Sequence, residues 1–295
     1  MKQDATDYER QMAERHTGLL TAGEIEILAG ATVCGAGAGG VAGWTYEALV
    51  RLGCARLKIA DPETYEPTNA NRQAGCNATT VGRNKAEVTR EMLLKVRPNA
   101  EITVFADGVT EANMADFLES GSVVLDGIDL SKLEIKQKLF DAARKRGLPV
   151  ITCPIFGFGC ALALFDPVRS PTFEEFFGPI PPPSDREARR RYVQSLAPRF
   201  FSFRPRLDWP LFRRRVLSGQ VPSAGIATML SGALAATAVV SCLCKRGDLP
   251  RVPTTLHIDL MEGRIKRTGP LRRRLIQTAM SVFFRRLERQ DAERP

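Results

Sequence analysis

The chain has 295 residues, 44% hydrophobic and 25% charged, with a formal charge of +9. That length and balance suit one large or two modest soluble domains and exclude a chain too polar to bury a core. The seven cysteines include no C-x-x-C pair and several sit in apolar strand or helix patterns, which favours buried free thiols in a reducing compartment over a disulfide framework.

In chain order, residues 1–30 read as helical, and the polar, charged start does not read as a secretory signal, so a cytoplasmic setting is expected. Residues 31–34 form a short apolar strand that runs into Gly35, Gly37, Gly39, Gly40 and Gly43. Residues 44–52 carry apolar side chains at helical spacing. Strand, glycine turn and helix together make a phosphate cradle, because glycine allows positive φ and the first helical amides face an anion. A second strand, 57–60, ends in Asp61, which lies 21 positions after Gly40 (61 − 40). Nucleotide folds place a carboxylate for ribose hydroxyls at about that distance.

Residues 62–71 read as loop, 85–96 as an amphipathic helix and 101–105 as a third strand. A helix at 112–119 precedes a fourth strand, 122–126, with Gly127-Ile128-Asp129 at its carboxyl end. A helix at 133–146 and a strand at 149–152 follow. This alternation predicts an α/β fold, a Rossmann-like and mostly parallel sheet with helices on both faces. Ligands bind such sheets at the carboxyl ends of strands, where the glycine turn, Asp61 and Asp129 fall.

Residues 161–165 read as a further strand. The proline-, arginine- and aromatic-rich stretch 167–222 reads as a long crossover excursion. Residues 224–244 carry no charge and are long enough to span a bilayer. They are rich in Ala, Gly, Ser and Thr, so membrane insertion is not expected. A small-residue helix packed on the sheet or on a twin subunit suits them better. A strand at 254–260 with a hairpin turn at Glu262-Gly263 supplies late antiparallel pairing, and 271–289 reads as a basic amphipathic helix. The organisation expected is a nucleotide-binding core at 1–166, the crossover at 167–222, completion of the same domain at 223–267 and a basic helix at 268–295. The arginines at 186–191, 204–215 and 264–289 suit an acidic partner, RNA or anionic lipid, or simply a solvated face.

Five elements in this order resemble the ThiF/MoeB/HesA adenylyltransferases, relatives of the ubiquitin-activating enzymes. They are the turn Gly37-Ala38-Gly39-Gly40-Val41-Ala42, Asp61 with Asn69-Ala70-Asn71-Arg72-Gln73, Val81-Gly82-Arg83-Asn84-Lys85, Asp126-Gly127-Ile128-Asp129, and Tyr8-Glu9-Arg10-Gln11. The resemblance implies ATP and Mg²⁺ as cofactors and a homodimer. It implies that Gly37, Gly39, Gly40, Asp61, Asn69, Arg72, Gln73 and Lys85 bind ATP, with Asp61 on the ribose and Asn69, Arg72 and Lys85 on phosphates. Asp129 would hold Mg²⁺, and Arg10 would reach the ATP of the neighbouring subunit. Arg10, Arg72, Lys85 and Asp129 would carry the catalysis, which is mostly positioning and charge neutralisation.

Departures from the family narrow the reading. Many members hold structural zinc with two C-x-x-C pairs, but residues 161–241 contain no cysteine, so zinc is not expected and neither is a thioester relay through the crossover. Leu130 stands where the family often has Asn. The leading expectation is therefore an ATP-dependent adenylyltransferase activating a ubiquitin-like or peptide C-terminus. The alternative is a tRNA threonylcarbamoyladenosine dehydratase-like enzyme, echoed at Gly39-Gly40-Val41, Trp44 and Glu47-Ala48-Leu49. A nucleotide-binding module without turnover and a Rossmann dehydrogenase fit less well.

Overall fold

A computed structural model describes residues 5–181, 186–196, 208, 211, 214–215 and 222–278. Most of the arginine- and aromatic-rich stretch at 199–213 and the second half of the expected helix 271–289 lie outside the described residues. Two helices, α1 (Ala5–Ala13) and α2 (Ala22–Gly30), replace the single one expected at 1–30. Between them lies a 3-10 turn, Glu14–His16. Thr21 caps α2 in a reciprocal box with Glu24.

The sheet alternates with helices as the sequence implies: β1 (Thr32–Ala36), α3 (Gly40–Arg51), β2 (Arg56–Ala60), α4 (Lys85–Val96), β3 (Glu101–Phe105), α5 (Met114–Leu118), β4 (Val123–Asp126), α6 (Leu133–Lys145) and β5 (Val150–Thr152). After β5 the chain turns back through β6 (Ile155–Phe156) and β7 (Gly159–Phe165). It then forms α7 (Phe173–Phe177), α8 (Arg186–Leu196), α9 (Gly225–Leu243), β8 (Thr255–Asp259) and β9 (Arg264–Thr268). A last helical stretch covers residues 270–278. Strand order is β3-β2-β1-β4-β5-β7-β8-β9, with β6 paired to β7. The first five are mutually parallel and the remainder antiparallel. The short strand β6 is absent from the sequence reading because two residues leave no periodicity to detect.

Every residue of the central strand β1 is buried, as expected of a strand covered on both faces. One face packs α2, α3, α4 and α9 around Leu28, Tyr46, Leu49, Leu93 and Val239. The other packs α5, α6, α7 and α8 around Phe117, Leu139, Phe140, Phe173 and Tyr192. Phe140 meets both Phe165 and Phe173 edge to face with ring centres 5.0 Å apart, and Tyr192 stacks on Phe177 at 4.3 Å. Each such pair adds about 1 kcal/mol beyond burial. The start of the crossover is therefore core-forming.

The helix α9 is long and apolar enough to cross a membrane by length and composition, and 56% of that span is buried inside the protein. It lies on α3: a Cβ on Gly232 would stand 2.6 Å from the Trp44 Cβ. Its small residues thus serve close helix packing within the chain.

One boundary differs in a way that matters. The helix expected at 44–52 begins at Gly40. Glycine disfavours helix, so propensity points to a later start, yet close packing favours glycine at position 40. A Cβ on Gly40 would lie 3.0 Å from Thr228 Cγ2, tighter than ordinary contact, whereas one on Gly43 would meet the Ala74 Cβ at an ordinary 3.4 Å.

Candidate active site

Three parallel strands end on one level. Ala36 of β1 pairs with Ala60 of β2 on one side and with Asp126 of β4 on the other. The next residues, Gly37, Asp61 and Gly127, therefore leave the sheet side by side. The Gly37 N–H donates to Ala60 O and the Gly127 N–H to Ala36 O, each at 2.7 Å. Gly37 has φ of +110°, and a Cβ there would stand 2.6 Å from the Gly127 carbonyl oxygen. Glycine is thus needed for both conformation and space. The fully buried Tyr46 pins the turn, its hydroxyl donating to Gly37 O at 2.6 Å. Gly39 precedes the first turn of α3 and has no side chain to cap it, so the free amides there are open to an anion.

Asp61 is buried beside this turn. Its Oδ2 accepts from the Ala38 N–H at 2.7 Å and its Oδ1 from the Glu63 N–H at 2.9 Å. Burial pushes its carboxyl above the ordinary aspartate range, against the pull of those two amides and the Lys85 charge. Lys85 opens α4, whose first amides are capped by Asn84. The Lys85 side chain is 6% exposed and donates to Glu63 Oε2 at 2.6 Å, while the Glu63 side chain is 56% exposed. A buried ammonium whose hydrogen-bonded anion reaches it from solvent is one whose partner a phosphate can replace.

The loop after Asp61 is tied down on both sides. Asn69 is buried, and its Oδ1 accepts from the Glu66 N–H at 3.1 Å, so that oxygen holds the 3-10 turn. The Arg72 guanidinium donates to Thr68 O at 2.9 Å and Asn71 Oδ1 at 3.0 Å. The Arg72 carbonyl accepts from the Trp44 indole at 3.2 Å and the Thr228 hydroxyl at 2.9 Å. Gln73 is buried next to Gly39, and its Oε1 has no hydrogen-bond partner, a rare condition that marks a group poised for a donor.

At the end of β4, Asp126 Oδ1 accepts from the Ile128 N–H at 3.2 Å and its Oδ2 from Lys136 Nζ at 2.9 Å. Lys136 also donates to Tyr192 Oη at 3.1 Å. Burial alone would lower the Lys136 ammonium, but Asp126 and Tyr192 outweigh it and raise it above its ordinary value. Asp129 faces solvent, with Oδ1 accepting from the Ser131 N–H at 2.7 Å. Partial desolvation pushes its carboxyl upward, but Ser131 and the Lys136 charge prevail and hold it below the ordinary range. Among the described residues no three His, Cys, Asp or Glu side chains converge as a metal cage. A single ionised carboxylate suits Mg²⁺, which keeps its waters and draws other ligands from phosphates. It does not suit a closed zinc site.

The structure thus gathers Gly37, Gly39, Gly40, Asp61, Asn69, Arg72, Gln73, Lys85 and Asp129 on one edge of the sheet. Arg10 is elsewhere in the chain. It is exposed and ion-paired with Asp7, and α1 is anchored by the Glu9 carboxylate, which is ion-paired with Arg97 Nε at 3.1 Å and accepts from the Asn99 N–H at 3.1 Å. Arg10 lines a cleft with Arg51, Leu52 and Gly53 at the last turn of α3. That helix has 12 residues and is about 18 Å long, so Arg10 lies at the far end from the glycine turn.

Sequence reasoning missed four contributors. Tyr46 is hidden among the apolar positions of α3, Glu63 looks like any loop acid, and Lys136 and Tyr192 belong to stretches rich in other cations. A charged residue on the apolar face of α6 is the one signal that was available, at Lys136.

A profile of the ThiF family matches residues 8–275. The tRNA threonylcarbamoyladenosine dehydratase of Escherichia coli K12 is 35% identical over 129 residues, 43% of this chain and 47% of that protein. The sulfur carrier protein adenylyltransferase of Thermus thermophilus is 28% identical over 178 residues, 60% of this chain and 63% of that protein. The chain spans about half the length of the dehydratases it matches. Among solved structures, E. coli MccB with ATP superposes at a TM-score of 0.60 and 16% identity, covering 83% of this chain and 65% of that one. The E. coli tRNA N6-threonylcarbamoyladenosine dehydratase superposes at 0.57 and 21%, covering 81% and 96%. These superpositions establish likeness of fold. The profile match over nearly the whole length, together with the glycine turn and acidic strand ends on one edge, means that the chain belongs to the ThiF family.

Proposed function

We propose that this chain binds ATP at the carboxyl edge of β1, β2 and β4 and uses it to activate a carboxylate as an acyl-adenylate. The observation that carries the nucleotide reading is the level ending of those strands, with the buried ammonium of Lys85 beside the buried carboxylate of Asp61. In this reading Asp61 accepts from ribose hydroxyls, and the α3 amides, Arg72 and Lys85 hold phosphate oxygens. Asp129 holds Mg²⁺, which supplies charge neutralisation on the phosphates when bound. A substrate carboxylate oxygen bonds to the α-phosphorus as the bond to the β-phosphate oxygen breaks, and pyrophosphate leaves with the electron pair. The residues act by positioning and by neutralising charge that builds in the transition state.

The substrate favoured is the threonylcarbamoyl group of a modified adenosine in tRNA. Three relatives named for that dehydration are 30–35% identical over their matched segments. The group carries a carboxylate and a carbamoyl oxygen in one substituent, so the activated acyl carbon closes a ring as AMP leaves, with net loss of water. No thiol relay is needed, in keeping with a crossover free of cysteine at 167–222. A peptide or ubiquitin-like C-terminus, the leading expectation from the motifs, takes second place, because the sulfur carrier protein adenylyltransferase is 28% identical against 30–35% for these three dehydratases. The reading includes a homodimer, because Arg10 reaches a site only on a second copy.

The test is to incubate the purified chain with ATP, Mg²⁺ and tRNA bearing threonylcarbamoyladenosine, then follow AMP, pyrophosphate and the nucleoside mass. Loss of one water per modified nucleoside, matched by AMP, is expected. AMP formation with a peptide C-terminus but not with tRNA would remove the substrate assignment and keep the adenylation. NADH binding without ATP affinity would remove both.

A further inference from the structure

The network at Asp126 reaches from the strand end into the crossover, and it is built from buried charge. The side chains of Asp126 and Lys136 are 0% and 4% exposed. Lys136 Nζ bridges Asp126 Oδ2 at 2.9 Å and Tyr192 Oη at 3.1 Å. The Tyr192 hydroxyl also interacts with the side chain of Thr152, which lies level with Asp126 where β5 pairs with β4. Tyr192 is 56 residues from Lys136 in sequence (192 − 136) and arrives on α8. Its ring is wedged against Phe173 and Phe177. The residues at 270–278 tie down both α7 and α8, with Gln277 Nε2 donating to Ser195 Oγ of α8 at 2.9 Å and the Arg273 guanidinium 3.8 Å above the Phe176 ring of α7.

The same Asp126 carboxylate governs the turn that carries Asp129. Its Oδ1 accepts from the Ile128 N–H, and the Gly127 backbone between them packs against Gly37. One oxygen therefore shapes the turn, and the other is held by an ammonium whose second partner is supplied by the crossover. A buried pair with a partner removed leaves an uncompensated polar group and relaxes.

We propose that Tyr192 is a positioning residue for the ATP site: by completing the Asp126–Lys136 pair from α8 it holds the Gly127–Asp129 turn in place, so that seating of the crossover helix governs how tightly ATP with Mg²⁺ is bound. Tyr192 touches no nucleotide in this scheme and acts through Lys136 and Asp126. The proposal rests on the reading of the Asp126–Asp129 strand end as part of that site.

The experiment measures binding of a fluorescent ATP analogue, with and without Mg²⁺, to the full chain and to Tyr192→Phe, Asp129→Asn and the double variant. Tyr192→Phe removes one hydroxyl and keeps the stacked ring. The expected result is about a tenfold weaker Kd with Mg²⁺, little change without it, and a melting temperature lowered by only a few degrees, so that the variant is folded in the binding assay. Asp129→Asn weakens Mg²⁺-dependent binding as well, and the double variant adds nothing further, because both changes act on one turn. Losses that multiply in the double variant, or a Tyr192→Phe Kd equal to that of the parent while Asp129→Asn is impaired, would overturn the proposal and leave the ATP site standing. Unchanged binding in both single variants would overturn the site assignment and the proposal together. Should Tyr192→Phe not fold, Thr152→Val removes the other contact of the same hydroxyl and is read in the same way.

Discussion

Gly37 is the residue on which the nucleotide edge turns. Its φ of +110° and the 2.6 Å that would separate a Cβ from the Gly127 carbonyl oppose any side chain. Gly37→Ala is expected to cost about 2 kcal/mol of stability, read by urea unfolding, and to weaken ATP binding at least tenfold, read by titration calorimetry. His257 is a residue of a different kind. It is buried on β8, its Nε2 lies 2.9 Å from Thr255 Oγ1, and its Nδ1 has no partner. Burial pulls its value down to about 4 from an ordinary 6.5. Because the folded value lies below the unfolded one, the unfolded chain takes the extra proton as pH falls between 6.5 and 4. Stability is therefore whole above the window and falls within it, by about 3 kcal/mol for a shift of this size. Relative to the parent, His257→Leu is expected to flatten that part of the stability–pH curve, measured by urea unfolding on both sides of the window. An unchanged slope would mean that the imidazole is hydrated.

At the scale of elements, α3 and α9 form the frame behind the phosphate turn. Gly232 lets α9 approach Trp44, Thr228 packs on Gly40, and both Trp44 and Thr228 hold the Arg72 carbonyl. Gly232→Ala sets two effects against each other. Alanine gains about 1 kcal/mol in helix propensity over glycine. The new Cβ would lie 2.6 Å from the Trp44 Cβ and 3.1 Å from the Thr45 backbone nitrogen, and overpacking of this kind costs about 1–3 kcal/mol. The clash is expected to win. Net destabilisation should appear in urea unfolding together with weaker ATP binding, and a stabilised variant would show that the helices separate freely.

At the scale of the whole molecule, Arg10 decides between a single chain and a pair. The Glu9–Arg97 ion pair, with both side chains 14% exposed, fixes α1 at the end of the sheet remote from its own glycine turn. If Arg10 serves a second copy, Arg10→Ala and Asp129→Ala are each inactive alone. An equal mixture should then recover about a quarter of parental turnover, since half of the dimers are mixed and each carries one complete site. Pyrophosphate exchange measures the recovery, and none would argue against action between subunits.

The sequence by itself determined the elements whose signals are local. The parallel strands announce themselves as short apolar runs, the phosphate turn as clustered glycines, and Asp61 and Asp129 as acids at strand ends, because backbone conformation and strand position are written in neighbouring residues. The start of α3 was misjudged, since Gly40, which disfavours helix, sits where Thr228 packs too close for a side chain. Tertiary structure alone decided that Lys85 pairs with Glu63, that Tyr46 pins Gly37, that α9 lies on α3, and that a tyrosine in an arginine-rich run completes the buried pair at Asp126. Those choices depend on which side chains meet across long separations and on which charges lose their water, and no local pattern records either.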